Sequence, residues 1–179
     1  MDLRALEKED VDFLADCFNS VDFWGDNPFW EQVSKSEWMK HFESPPNAAV
    51  LVEWTRFIIQ KKDGTRIGVA WHMVNQPYRM MEISYFLVSS ERGKGYGTEV
   101  VQLMVDYLFL SRDISRIQAT TNVRNKASQR ILEKAGFRIE GTMRKFQFVK
   151  GAWTDYYLHS ILREEWKGSK ILTKTTVER

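Results

Sequence analysis

The chain has 179 residues, 43% of them hydrophobic, which suits one domain of the common size of roughly 100–200 residues and argues against a disordered chain. Its 26 basic and 24 acidic side chains leave a net charge of +2, so nothing in the overall balance points to nucleic acid or a membrane, and any phosphate recognition must be local. A single cysteine, Cys17, excludes an internal disulfide and a cysteine-built zinc site; no apolar run approaches the roughly 18 residues of a membrane span, and without a signal-peptide-like start the expected location is cytoplasmic.

The opening reads as a strand over 1–5 and a helix over about 9–19, in which Val11, Leu14, Ala15 and Phe18 recur at helical spacing and Cys17 reads as a packed hydrophobe. Between Val21 and Asn47, aromatics alternate with Gly25, Pro28, Pro45 and Pro46, which predicts loops around a short helix near 36–42. A strand over 48–60 turns at Asp63-Gly64 into a second strand over 67–74, and a further turn at 75–78 leads into a strand over 80–88. After a glycine-rich segment, Val101, Met104, Val105 and Leu108 mark one face of a helix. A strand over 114–121 and a helix over about 125–135 closed by Gly136 follow, and the last strands, 137–149 and 153–162, join at Lys150-Gly151. The pattern is α/β with a mixed sheet. One domain over 1–167 is expected, with a polar tail over 168–179 that is partly disordered.

The strongest chemical signal is Arg92-Gly93-Lys94-Gly95-Tyr96-Gly97-Thr98, set between a strand and a helix. Alternate glycines let the backbone approach a ligand and gather N–H groups at the positive end of the following helix, where an anion is favoured. Arg92 and Lys94 add charge for a diphosphate; a plain tight turn is the competing reading. No Gly-Lys-Ser/Thr closes the segment and the G-x-G-x-x-G spacing is missing, which weighs against a nucleotide hydrolase or a dehydrogenase.

The segment matches Arg-x-x-Gly-x-Gly, and with it the chain resembles the GNAT superfamily of N-acetyltransferases across most of its length. Leu3-Arg4-Ala5-Leu6 with Glu9-Asp10, Glu82-Ile83-Ser84-Tyr85-Phe86-Leu87, Asn125-Lys126-Ala127-Ser128, Leu132-Glu133-Lys134-Ala135-Gly136-Phe137, Glu140-Gly141 and Leu162-Arg163-Glu164-Glu165-Trp166 are similar to its RimJ/RimL-type branch, which acetylates ribosomal-protein N-termini. The resemblance implies the GNAT fold: a single, mostly antiparallel, twisted sheet of about seven strands flanked by helices and splayed at its central strands. It implies acetyl-CoA as co-substrate and a protein N-terminus as acceptor, in a monomer or homodimer with no nucleic-acid or membrane partner.

By the same resemblance, Phe86, Leu87 and Val88 offer backbone groups to the pantetheine arm, with the N–H of Leu87 or Val88 facing the thioester oxygen. The amides of Arg92, Gly93, Lys94, Gly95, Tyr96, Gly97 and Thr98 take the pyrophosphate. Asn125, helped by Asn122, bonds the pantetheine, against the simpler role of capping the helix. The leaving-group tyrosine of many relatives falls at Leu132, so that acid is missing, and Ser128 inherits the contact with the sulfur; bonding to the preceding helical turn is its structural alternative. Glu82 is the candidate base, with a buried or ion-paired glutamate as the alternative.

A second acidic position of the branch is Gln147 here. Asp155 reads as structural, and His72 and His159 as packing residues. Asp22, Asp26, Glu31 and Glu37 with Trp24, Phe29 and Trp30 are candidates for the acceptor pocket, facing Lys145, Phe146 and Trp153, although a place in the core is the plainer role for the aromatics. Small amines such as polyamines or aminoglycosides, a catalytically inactive CoA-binding module, and a nucleotide-phosphate binder stay open as alternatives.

Overall fold

Pairing of β-branched and aromatic runs builds one sheet, seen in a computed structural model that describes residues 1–28, 32–43, 52–75 and 80–169. Its seven strands are β1 (Asp2–Ala5), β2 (Val52–Gln60), β3 (Arg66–Asn75), β4 (Met80–Leu87), β5 (Arg116–Asn122), β6 (Arg138–Val149) and β7 (Ala152–Leu162), in the order β1-β2-β3-β4-β5-β7-β6. Every neighbouring pair is antiparallel except β4–β5, which is parallel. The parallel pair holds register only at Met80↔Arg116, Met81↔Ile117 and Glu82↔Gln118, after which the strands part. β4 runs on with β3 to Leu87, while β5 runs on with β7 to Asn122. The mixed, splayed sheet expected from the sequence is therefore present.

Helices cover both faces, and alternation along β4 assigns its side chains between them. Met81 and Ile83, with Tyr85 and Leu87, join the core under α4 (Tyr96–Ser111) and α5 (Lys126–Ala135). Phe86 joins the aromatic core under α1 (Val11–Phe18), α2 (Val21–Trp24) and α3 (Lys35–Glu43), stacked on Trp71 with ring centroids 5.2 Å apart. Trp24 and Trp38 belong to this second core. The helix expected near 36–42 is α3, and Glu37 closes a capping box with Ser34, whose N–H and Oγ both lie 2.8 Å from its carboxylate. The four-residue α2 was read as loop, since one turn is too short to show periodicity.

Asp10, fully buried, anchors β1 and β3: it accepts from Arg4 at 2.8 and 2.9 Å, from Arg66 Nε at 2.8 Å and from the Glu7 N–H at 2.9 Å. Trp166 Nε1 and Ser169 Oγ both donate to buried Asp106 of α4 at 2.9 Å, so chain order continues past the expected domain end at 167. The rest of the expected tail, 170–179, lies outside the described residues, as do 48–51 of the second strand and 76–78 of the turn. No helix among the described residues is long and apolar enough to cross a membrane.

Candidate active site

The glycine segment forms the joint between β4 and α4. A turn of 3-10 helix over Ser89–Glu91 precedes it, and Gly93 (φ 76°) and Gly95 (φ 87°) adopt the left-handed backbone that side chains disfavour. Gly97 is needed for a different reason: a Cβ there would lie 2.6 Å from Ile131 Cδ1, so it sets the close approach of α4 to α5. Among the described residues, the N–H groups of Gly93, Lys94, Gly95, Tyr96 and Gly97 meet no main-chain acceptor, and the N–H of Thr98 turns back to the Gly95 carbonyl at 3.1 Å. Unpaired donors at a helix start fit the diphosphate of coenzyme A.

The charges beside the turn divide their work. Arg92 donates to the carbonyls of Leu87 (3.0 Å), Asp22 (2.7 Å) and Phe23 (3.0 Å), so its guanidinium staples the turn to β4 and α2. Lys94 Nζ lies 3.1 Å from Glu91 Oε2, and Lys61, at the end of the β2 hairpin, lies 2.8 Å from Glu91 Oε1 and 5.8 Å from the centre of the Tyr96 ring. Hydrogen bonds from Lys61 and Lys94 hold the Glu91 carboxyl below its usual range. Lys61 stands out by no local pattern, because strand pairing is what carries it to the turn.

Where β4 leaves β5, the ladder to β3 decides which amides face the opening. The Val88 N–H donates to the Ile67 carbonyl at 2.9 Å and is taken. Alternation then turns the N–H groups of Leu87 and Tyr85 the other way, toward the gap, and of the two amides considered for the thioester oxygen only that of Leu87 points there.

Across the gap, Asn125 caps α5, its Oδ1 accepting the Ser128 N–H at 3.0 Å. Asn122 is buried, donating to the Asp26 carbonyl at 2.9 Å and accepting the Arg124 N–H at 2.9 Å; Gln129 closes the same turn on the carbonyls of Asn122 and Val123. Ser128 Oγ lies 2.8 Å from the Tyr85 hydroxyl on β4, a partner that sequence reasoning missed. Leu132, one turn on, is fully buried.

On the opposite face of β4, at the last paired position, Glu82 accepts from Gln118 Nε2 at 3.2 Å and lies 3.5 Å from Thr120 Oγ1. Burial raises its carboxyl above the usual range, against the pull of those two bonds. The acids read as acceptor ligands have other partners. Asp26 pairs with Lys150 at 3.4 Å, Asp22 stands 3.9 Å from Arg92, and Glu37 caps α3; Phe29, Trp30 and Glu31 lie outside the described residues.

Phe146 and Trp153 are exposed, at 43% and 61%, on the β6–β7 hairpin, where Phe148 and Trp153 meet edge to face. Met143 and Gln147 pair with Tyr156 and Thr154, so three residues bulge opposite Asp155. Asp155 Oδ1 holds the N–H of Lys145 (φ 49°) there at 2.8 Å. His72 and His159 are buried, and no cluster among the described residues could hold a metal ion. Burial pushes the Cys17 thiol up to about 12, which keeps it protonated and inert.

Known proteins resemble this chain in sequence and in fold. The family model described as "Acetyltransferase (GNAT) domain" matches residues 1–138. The chain is 30% identical over 178 residues to an uncharacterized N-acetyltransferase, p20, of Bacillus licheniformis, covering 93% of this chain and 94% of that one. It is 26% identical over 182 residues to the putative ribosomal N-acetyltransferase YdaF of Bacillus subtilis, covering 94% of each. Among solved structures, spermidine N-acetyltransferase from Vibrio cholerae, in complex with CoA and spermine, superposes with a TM-score of 0.81 at 22% identity, covering 92% of this chain and 96% of that one.

Proposed function

Because the chain belongs to the GNAT acetyltransferases and so transfers acetyl from acetyl-CoA to an amine, we propose that its acceptor is the free α-amine at the start of a protein chain. The observation that carries this reading is Glu82, a half-buried carboxylate with a raised pKa that meets, among the described residues, no cationic partner at the parting of β4 and β5. An α-amine titrates near 8, so roughly a tenth of it is neutral at pH 7, whereas a lysine amine near 10.4 is neutral only at a few parts in ten thousand. One modest base is enough for the former. A polycation would gain from several unpaired acids, and Asp22, Asp26 and Glu37 already have partners. The exposed aromatics of the β6–β7 hairpin suit an extended peptide.

In this reading the amides of the glycine segment and the N–H groups of Leu87 and Tyr85 hold the donor, with the Leu87 N–H steadying the oxyanion. Glu82 takes the proton from nitrogen, directly or through a water. A second reading, a polyamine acceptor, is favoured by the likeness to the Vibrio cholerae enzyme crystallised with spermine.

The two are separated by thiol release from acetyl-CoA with an alanine-initiated peptide, the same peptide blocked at its N-terminus, and spermidine. The free peptide should exceed spermidine by about 10-fold or more in kcat/KM, and blocking should abolish release. The reverse ranking would make the enzyme a polyamine acetyltransferase.

A further inference from the structure

Glu82 and Tyr85 are three residues apart on an extended strand, so they serve opposite faces of the sheet. Glu82 meets Gln118 and Thr120, while Tyr85 packs against the core under α4 and α5. Among the described residues, the Tyr85 hydroxyl bonds Ser128 Oγ alone, at 2.8 Å, across the gap where β4 has left β5. Ser128 is held from below by Asn125, and the inward side chains that follow it on the helix, Ile131 and Leu132, carry no polar atom.

We propose that Tyr85 is a positioning residue: its hydroxyl donates to Ser128 Oγ and so turns the serine proton toward the sulfur of the departing coenzyme A. This deepens the acetyltransferase reading and rests on Ser128 meeting that sulfur.

Two hydroxyls in contact share one hydrogen, and the one that accepts keeps its own free for a third atom. Burial raises the Tyr85 phenol well above the usual tyrosine range, a shift that the Ser128 hydrogen bond only partly offsets. The phenol therefore stays protonated, and the pair is a chain of donors rather than a source of protons. The reaction balances on those terms. The amine lone pair forms the N–C bond at the acetyl carbon, the C–S bond breaks with its pair passing to sulfur, and the nitrogen proton goes to Glu82. The thiolate is steadied by the Ser128 O–H and takes its proton from solvent. A thiol is far more acidic than an alcohol, so its thiolate leaves readily enough that a hydrogen bond suffices.

The test compares Tyr85→Phe, Ser128→Ala and the double variant. Thiol release is read with acetyl-CoA and the alanine-initiated peptide or spermidine, with slow acetyl-CoA hydrolysis as the acceptor-free measure. Tyr85→Phe should lower kcat about 10-fold from pH 6 to 9, keep the Kd for CoA within about twofold and leave Tm within about 2 °C. The double variant should be no slower than Ser128→Ala. Wild-type kcat in Tyr85→Phe beside a slowed Ser128→Ala, or losses that multiply in the double, would overturn the role of Tyr85 alone. An unslowed Ser128→Ala would overturn the reading of the serine as well. No thiol release under any condition would remove the acetyltransferase reading itself.

Discussion

Glu82, half-buried, and Asp10, fully buried, are two carboxylates with opposite electrostatics. Among the described residues Glu82 meets neutral donors, so burial dominates, its pKa rises, and its charged form comes at a cost to the fold. Unfolded, it titrates near 4.3, so that cost grows as pH climbs from there through the higher folded value. Glu82→Gln should therefore raise Tm at pH 7, a gain that disappears near pH 4, where carboxyl and amide are both neutral. The same substitution should lower kcat/KM about 100-fold and remove the acidic limb of its pH profile. Asp10 answers the other way. Burial alone would raise its pKa, but the Arg4 hydrogen bond, the Glu7 N–H and Arg66 more than offset that and lower it. Its contribution is present above the unfolded value near 3.9 and fades as pH falls through the lower folded one. Asp10→Asn should cost about 2 kcal/mol in urea unfolding at pH 7, a figure reduced because the arginines are partly in solvent. The sequence offered both acids as members of motifs. It could not show that Tyr85 reaches Ser128, because the two are 43 positions apart and meet only once β4 and α5 are packed.

At the level of elements, the strands and the long helices were legible because their periods of two and 3.6 run over enough residues to be seen, as in Val101, Met104, Val105 and Leu108 of α4. The bulge facing Asp155 left no such signal, and the place of Gly97 in an anion cradle gave no hint that its lack of a Cβ is also required by Ile131. That contact can be tested by compensation. Gly97→Ala alone presses on Ile131 Cδ1, while Ile131→Val alone leaves a methyl-sized gap worth about 1 kcal/mol. Combined, the new methyl fills the gap, so the double variant should return to within about 0.5 kcal/mol of the parent in chemical denaturation.

Across the whole molecule, the expected α/β architecture with a splayed sheet is what the described residues form, but the strand order rests on pairings such as Gln118↔Ser160 that no local pattern encodes. The segment that follows β7 locks the layers together: Arg163 bonds the Phe109 carbonyl at the end of α4 and the Ile114 carbonyl beyond it, and Trp166 reaches Asp106. Trp166→Ala should cost about 3 kcal/mol, read as a lower urea midpoint, while leaving the Kd for CoA unchanged.

The parting of β4 from β5 leaves the sheet short of several rungs in its own middle. A donor molecule that lies in that seam completes the fabric as a temporary eighth thread, and deuterium uptake records the stitching. The amides of Tyr85 and Leu87 should exchange quickly in the free protein and slowly once coenzyme A is added, while that of Val88, already tied to Ile67, should hardly change.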